Sequence, residues 1–147
     1  MDTVAVIDFE TTGISPDAGA RATEIAAVLV RDGRVVGRYQ SLMNAGAWVS
    51  PFIEQLTGIT NEMVRAAPPA AKVMREVADF VGAHPMVAHN ASFDCRFWDA
   101  ELGRIRKARV QAFACTMLLA RRIYPEAPNH KLGTLVEFAG LPVAGRH

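Results

Sequence analysis

Residues 3–13 read Thr-Val-Ala-Val-Ile-Asp-Phe-Glu-Thr-Thr-Gly. Residues 3–9 form a β-branched, apolar run of strand length, apolar on both faces, the pattern of a central buried strand. Asp8 and Glu10 are two apart, so on a strand they share a side, with Val4 and Val6 upstream on that same side. Both carboxylates are therefore expected where a buried apolar face ends. Crowded together there they repel and lose hydration, a costly arrangement unless a hard cation compensates it. Mg²⁺ or Mn²⁺ suits oxygen donors of this kind. The plainer alternative is that Glu10 and Thr11-Thr12-Gly13 build a polar turn at a strand end, as most isolated Asp-x-Glu pairs do.

Outward from that strand the pattern continues as sheet. Residues 23–31 and 34–43 flank Asp32-Gly33, a strong hairpin signal, so the opening reads as a three-strand antiparallel meander. Pro51 opens a short helix that stops at Gly58, and residues 61–65 form another helical turn. From Pro69 onward, Val73, Val77, Phe80 and Val81 mark one helical face closed by Gly82. Residues 86–88 form a short strand, and Ser92 is expected to cap a helix carrying Phe93, Phe97 and Trp98. Residues 113–115 form a weak strand, Thr116 caps a helix ending near Pro125, and a last helix through Leu132, Leu135 and Val136 ends at Gly140. Strands first, then alternating helices and strands, point to an α/β domain: a mixed sheet flanked by helices.

The 147 residues, half of them apolar, suit one globular domain over the whole of 1–147. No apolar run reaches the roughly 18–20 residues of a membrane span, and Asp2 and Asp8 interrupt any signal-peptide layout. Cys95 and Cys115 read as two buried thiols of a reducing, cytoplasmic compartment. The formal net charge of +1 conceals an asymmetry, since residues 1–95 hold 7 basic and 11 acidic side chains and residues 96–147 hold 9 and 4. The cluster Arg104, Arg106, Lys107 and Arg109 would suit a polyanion approaching an acidic centre, although a solvated face is the commoner cause of such a cluster.

A second chemical constellation is His89-Asn90-Ala91-Ser92-Phe93-Asp94, between a short strand and a helix. Asp94 precedes Phe97 by three residues and Trp98 by four, so it projects from the edge of an apolar helical face. A helix packed on the first strand would bring Asp94 to Asp8 and Glu10. Taken alone, His-Asn before a helix is more often a turn with a cap.

Together, Asp-Phe-Glu-Thr-Thr-Gly at 8–13 and His-Asn-Ala-Ser-Phe-Asp at 89–94 resemble the DEDD 3′–5′ exonuclease family, His subclass. The likeness is closer to its proofreading branch, such as the ε subunit of bacterial DNA polymerase III and related stand-alone exonucleases. Residues 24–28 resemble the family's second strand, and 56–60 its His-Gly-Ile-Thr segment with Thr57 in place of His. Residues 119–121 and 130–132 resemble its later helices, and Cys115 stands where relatives carry an Asp that reads as structural. The resemblance implies a ribonuclease H-like fold and two-metal hydrolysis, with Asp8, Glu10 and Asp94 holding two Mg²⁺ or Mn²⁺ ions. It further implies that Thr11, Thr12, Gly13, Leu56, Ile59, His89, Asn90 and Phe93 contact the nucleotide. The implied substrate is the single-stranded 3′ end of DNA, with RNA left open, and a DNA polymerase subunit is the candidate protein partner.

The family's third motif has a His as general base and a fourth metal-binding Asp about five residues later. Gly145-Arg146-His147 stands where that motif begins. In one register His147 fills a variable position before the base; in a shorter one His147 is the base. No acidic residue follows Glu137. The expectation is a domain cut inside its third motif, or one lacking a ligand, and weakly active in either case. Two rivals remain at this level: a nucleic-acid-binding or interaction module on an inactive exonuclease fold, and a phosphatase using Asp8 as nucleophile. The second gives residues 89–94 no role.

Overall fold

The computed structural model describes residues 2–141. Strands β1 (Thr3–Thr11), β2 (Ala22–Arg31) and β3 (Arg34–Leu42) are followed by helices α1 (Pro51–Thr57), α2 (Asn61–Ala66) and α3 (Ala70–Val81). Strand β4 (Met86–Ala88), α4 (Ala91–Arg104), β5 (Phe113–Cys115), α5 (Thr116–Ile123) and α6 (Leu132–Phe138) follow, and a single 3-10 turn (Pro16–Ala18) lies between β1 and β2. The sheet runs β3-β2-β1-β4-β5, antiparallel across the first three strands and parallel for β1–β4 and β4–β5. The expected meander and mixed sheet are both present. Asp32 and Gly33 take φ of 53° and 74°, the paired positive values that a tight hairpin turn demands.

The core sits on one face of the sheet. Ala5, Ile7 and Phe9 of β1 and their neighbours Ile25 and Ala27 of β2 meet Val73, Met74, Val77 and Val81 of α3 and Phe97, Trp98 and Leu102 of α4. Gly37 of β3 admits the Phe80 ring, whose nearest carbon would lie 3.1 Å from any added Cβ. The expectation of a strand buried on both faces holds for that face alone. On the other face Val6 is 39% exposed and Asp8 is exposed. Among the described residues, α3 and α4 pack on the core face, while α5 and α6 are themselves largely exposed. Asp8 and Glu10 therefore stand on the open face and do not end a buried apolar one.

Two predicted caps were misplaced by a residue or two. Helix α4 starts at Ala91 from Asn90, whose φ of 63° and ψ of 57° are left-handed, and Ser92 lies inside its first turn. Asn tolerates this conformation better than other non-glycine residues, which accounts for an Asn between strand and helix. Thr116 is the first residue of α5, with Cys115 in the cap position, and its hydroxyl is engaged with the His89 ring instead. Both cysteines are free thiols, half-buried and not fully buried as expected.

Phe97 is fully buried, with ring centroids 6.3 Å from Phe9 and 4.9 Å from Phe93, so it joins α4 to β1 one turn beyond Asp94. Phe97→Ala should cost about 3–5 kcal/mol in urea unfolding, whereas Phe52→Ala, at a position 71% exposed, should cost under about 0.5 kcal/mol. A Phe97→Ala loss below about 1 kcal/mol would contradict this packing.

Candidate active site

The site forms where α4 meets the end of β1. Asp94 lies in the first turn of α4 and is only 4% exposed. Its Oδ1 accepts a hydrogen bond from the Phe9 main-chain N–H at 3.0 Å. Phe9 separates Asp8 from Glu10, so the bond places the third carboxylate against the strand between the other two. Burial raises the Asp94 carboxyl from 3.8 to about 7; the Phe9 N–H opposes the rise, and the charges of Asp8 and Glu10 add to it. The charges of Asp8 and Glu10 on the neighbouring strand thus reach Asp94 and disfavour its ionised form. Among the described residues, no three His, Cys, Asp or Glu side chains are grouped so that they could hold a metal ion.

The same face of α4 carries a second buried acid seven residues on, Glu101, and there the protein supplies the cation. Arg21 donates from Nε and Nη2 to the two Glu101 oxygens, both at 2.9 Å. Sequence reading missed this pair, because nothing local links residues 21 and 101. The contrast bears on the donor set. Glu101 is neutralised by a guanidinium, while Asp94 faces two further carboxylates. An all-oxygen set of that charge fits a hard divalent ion.

The remaining expected contacts divide. Thr11 is buried and its hydroxyl bonds the Gly13 carbonyl, while Thr12 Oγ1 accepts from the Arg21 N–H at 3.0 Å. Gly13 passes Ala20 so closely that an added Cβ would lie 3.2 Å from its methyl. Leu56 is 66% exposed, whereas Ile59 is buried with Val49 and Val64 in a small core joining α1 and α2, so only Leu56 offers a surface. Thr57 is spent locally, donating to the Ile53 carbonyl and accepting from the Ile59 N–H. Phe93 packs on Phe97. Both His89 ring nitrogens meet protein groups, Nδ1 the Thr116 hydroxyl at 3.0 Å and Nε2 the His130 carbonyl at 2.6 Å. Cys115 accepts from the Ala91 N–H at 3.3 Å; burial pushes its thiol up, but the surrounding main-chain N–H groups outweigh this and hold it below the ordinary value. His147 lies outside the described residues.

The basic cluster is not beside the carboxylates. Arg104 ends α4, about 15 Å along the helix from Asp94 at 1.5 Å per residue. Arg109 is taken up by Asp99 through Nε and Nη2, at 2.9 and 3.1 Å. A solvated face explains these residues.

The profile of the RNase T exonuclease family matches residues 5–147. The chain belongs to this family. Exonucleases of this family are generally dependent on divalent metal ions. PolC-type DNA polymerase III of Oceanobacillus iheyensis is 37% identical over 147 residues, which is 99% of this chain and 10% of that protein. The 3′–5′ exonuclease DinG of Bacillus subtilis is 39% identical over 136 residues, 90% of this chain and 14% of that one. The chain thus spans about a tenth of the length of the first of these relatives. Exonuclease X in complex with 5′ overhanging duplex DNA superposes with a TM-score of 0.77 at 30% identity, covering 98% of this chain and 79% of its own. Exonuclease I, at 19% identity and a TM-score of 0.82 over 98% of this chain and 37% of its own, shares the ribonuclease H-like fold. Among the described residues no helix is long and apolar enough to cross a membrane.

Because the folded carboxyl of Asp94 titrates above its unfolded value, its ionisation disfavours the native state. The penalty is absent below about pH 4, grows as the pH rises, and is complete above about pH 7. Asp94→Asn keeps an acceptor for the Phe9 N–H and removes the charge. In metal-free buffer it should raise the melting temperature by several degrees at pH 8 and leave it nearly unchanged at pH 4. An Asn variant less stable than the parent at pH 8 would contradict this account.

Proposed function

We propose that the chain is a divalent-metal-dependent 3′–5′ exonuclease domain that releases 5′-mononucleotides from a single-stranded 3′ end, with DNA as its substrate. One observation carries the reading: a buried aspartate on α4 held by the Phe9 N–H between two strand carboxylates, in a chain of the exonuclease family. Asp8 and Glu10 from the open sheet face and Asp94 from the covered one would hold the ions. Bound there, divalent ions supply an activated water and charge neutralisation at the leaving 3′-oxygen.

The protein's own part is placement. The Phe9 N–H fixes Asp94, so two elements distant in sequence keep a constant spacing. The backbone of Thr11–Gly13 and the exposed side of Leu56 are the surfaces offered to the terminal nucleotide, with stacking on apolar side chains tolerant of base identity. His147 is the candidate general base in the shorter of the two registers, and the fourth ligand of the family pattern is unassigned. The likeness to PolC-type polymerases supports a proofreading role beside a DNA polymerase, in the cytoplasm.

The test follows 3′-labelled single-stranded DNA and RNA with the full-length protein in Mg²⁺, in Mn²⁺ and in excess chelator. Mononucleotide release should require metal and fall about a thousandfold in Asp8→Ala and in Asp94→Ala, as expected for several kcal/mol of lost charge stabilisation. Release that survives chelator, or either substitution, sinks the proposal.

A further inference from the structure

Arg21 is joined to three parts of the molecule at once. Its guanidinium grips Glu101 of α4 with two 2.9 Å bonds, and Nη1 donates to the Ala45 carbonyl at 3.3 Å. Its main chain pairs twice with Thr12: the Arg21 N–H donates to Thr12 Oγ1 at 3.0 Å and the Thr12 N–H to the Arg21 carbonyl at 2.9 Å. Glu101 is 2% exposed and also accepts from the Ala22 N–H at 3.2 Å, so its position is fixed from two sides. Arg21 is itself mostly covered, with 18% of its side chain exposed.

Each connected part leads to a piece of the candidate site. Thr12 belongs to the loop that ends β1 just past Glu10. Ala45 follows Asn44, whose carbonyl accepts from the Ala70 N–H and whose N–H donates to the Pro68 carbonyl, so this segment carries the α1–α2 unit and Leu56. Glu101 lies two helical turns beyond Asp94 on the same face of α4. Helix α4 is therefore fastened to the sheet at two points of one face, by Asp94 to Phe9 and by Glu101 to Arg21.

We infer that Arg21 is a positioning residue: the Arg21–Glu101 pair sets the spacing between the carboxylates on β1 and α4 and the two segments, residues 11–13 and α1–α2, offered to the terminal nucleotide. The inference rests on the exonuclease reading above. A fork of donors is required, because a lysine ammonium cannot hold both Glu101 oxygens and the Ala45 carbonyl in one plane. An error of about 1 Å between a bound phosphodiester and the groups acting on it can cost about a hundredfold in rate, with little effect on binding.

The experiment measures kcat and KM on a short 3′-labelled DNA with the full-length protein, at a temperature where every variant is folded, together with thermal shift by Mn²⁺. Arg21→Lys should lower kcat at least tenfold, with KM and the Mn²⁺ midpoint each within about threefold of the parent. The double variant Arg21→Met/Glu101→Leu replaces a buried ion pair by apolar groups and should recover much of the melting temperature without recovering kcat. Asp99→Ala breaks the exposed pair with Arg109 and should leave kcat unchanged. An Arg21→Lys protein with parental kcat, a double variant whose kcat returns with its stability, or an equal loss in Asp99→Ala overturns the inference alone. A parent protein that releases no mononucleotide overturns the exonuclease reading, and this inference with it.

Discussion

The hydrogen bond from the Phe9 main chain to Asp94 is the contact on which the arrangement of the site depends. A strand interior has few ways to bind a helix side chain, because most of its N–H groups are engaged in the ladder. Here one of them, between two acidic residues, receives a carboxylate from α4. The cost is visible in the raised carboxyl of Asp94, and the surrounding packing sustains it: Phe97, Trp98 and Leu102 on the same helix are buried against β1, β2 and α3. Apolar burial of α4 thus holds the Asp94 carboxyl where its ionised form is disfavoured.

The two faces of β1 divide the work. Ala5, Ile7 and Phe9 face the core and secure the helix that carries Asp94, while Asp8 and Glu10 face the other, partly open side. A strand buried on both faces could not do this, since its carboxylates would be closed off from solvent. The two buried acids of α4 show the same economy. Glu101 meets an arginine, whereas Asp94 accepts from a main-chain N–H and lies in the field of two other acids.

Much of this was legible in the sequence. The Asp-x-Glu spacing put two carboxylates on one side of a strand, the Asp32-Gly33 hairpin set the meander, and the apolar spacing of 73–81 located α3. The departures have physical causes. The open face of β1 was misjudged because Val4 and Val6 look buried, whereas exposure depends on which face the helices distant in sequence pack on, and α3 and α4 cover the other one. Ser92 and Thr116 looked like caps because their side chains can cap, but a left-handed Asn90 begins α4 and His89 claims the Thr116 hydroxyl. Ile59 matched a family segment and yet lies in the α1–α2 core. Arg21 and Glu101 carried no local signal, since their meaning comes from a contact across 80 residues of chain.

The most direct measurement of the central claim is a crystal structure grown with Mn²⁺ and a nucleoside 5′-monophosphate, with anomalous data at the manganese edge. The account predicts a manganese peak about 2.0–2.3 Å from carboxylate oxygens of Asp94 and of Asp8 or Glu10, with the nucleotide phosphate completing its coordination. Well-ordered Asp8, Glu10 and Asp94 with no anomalous peak among them, and the ion bound elsewhere, would contradict it.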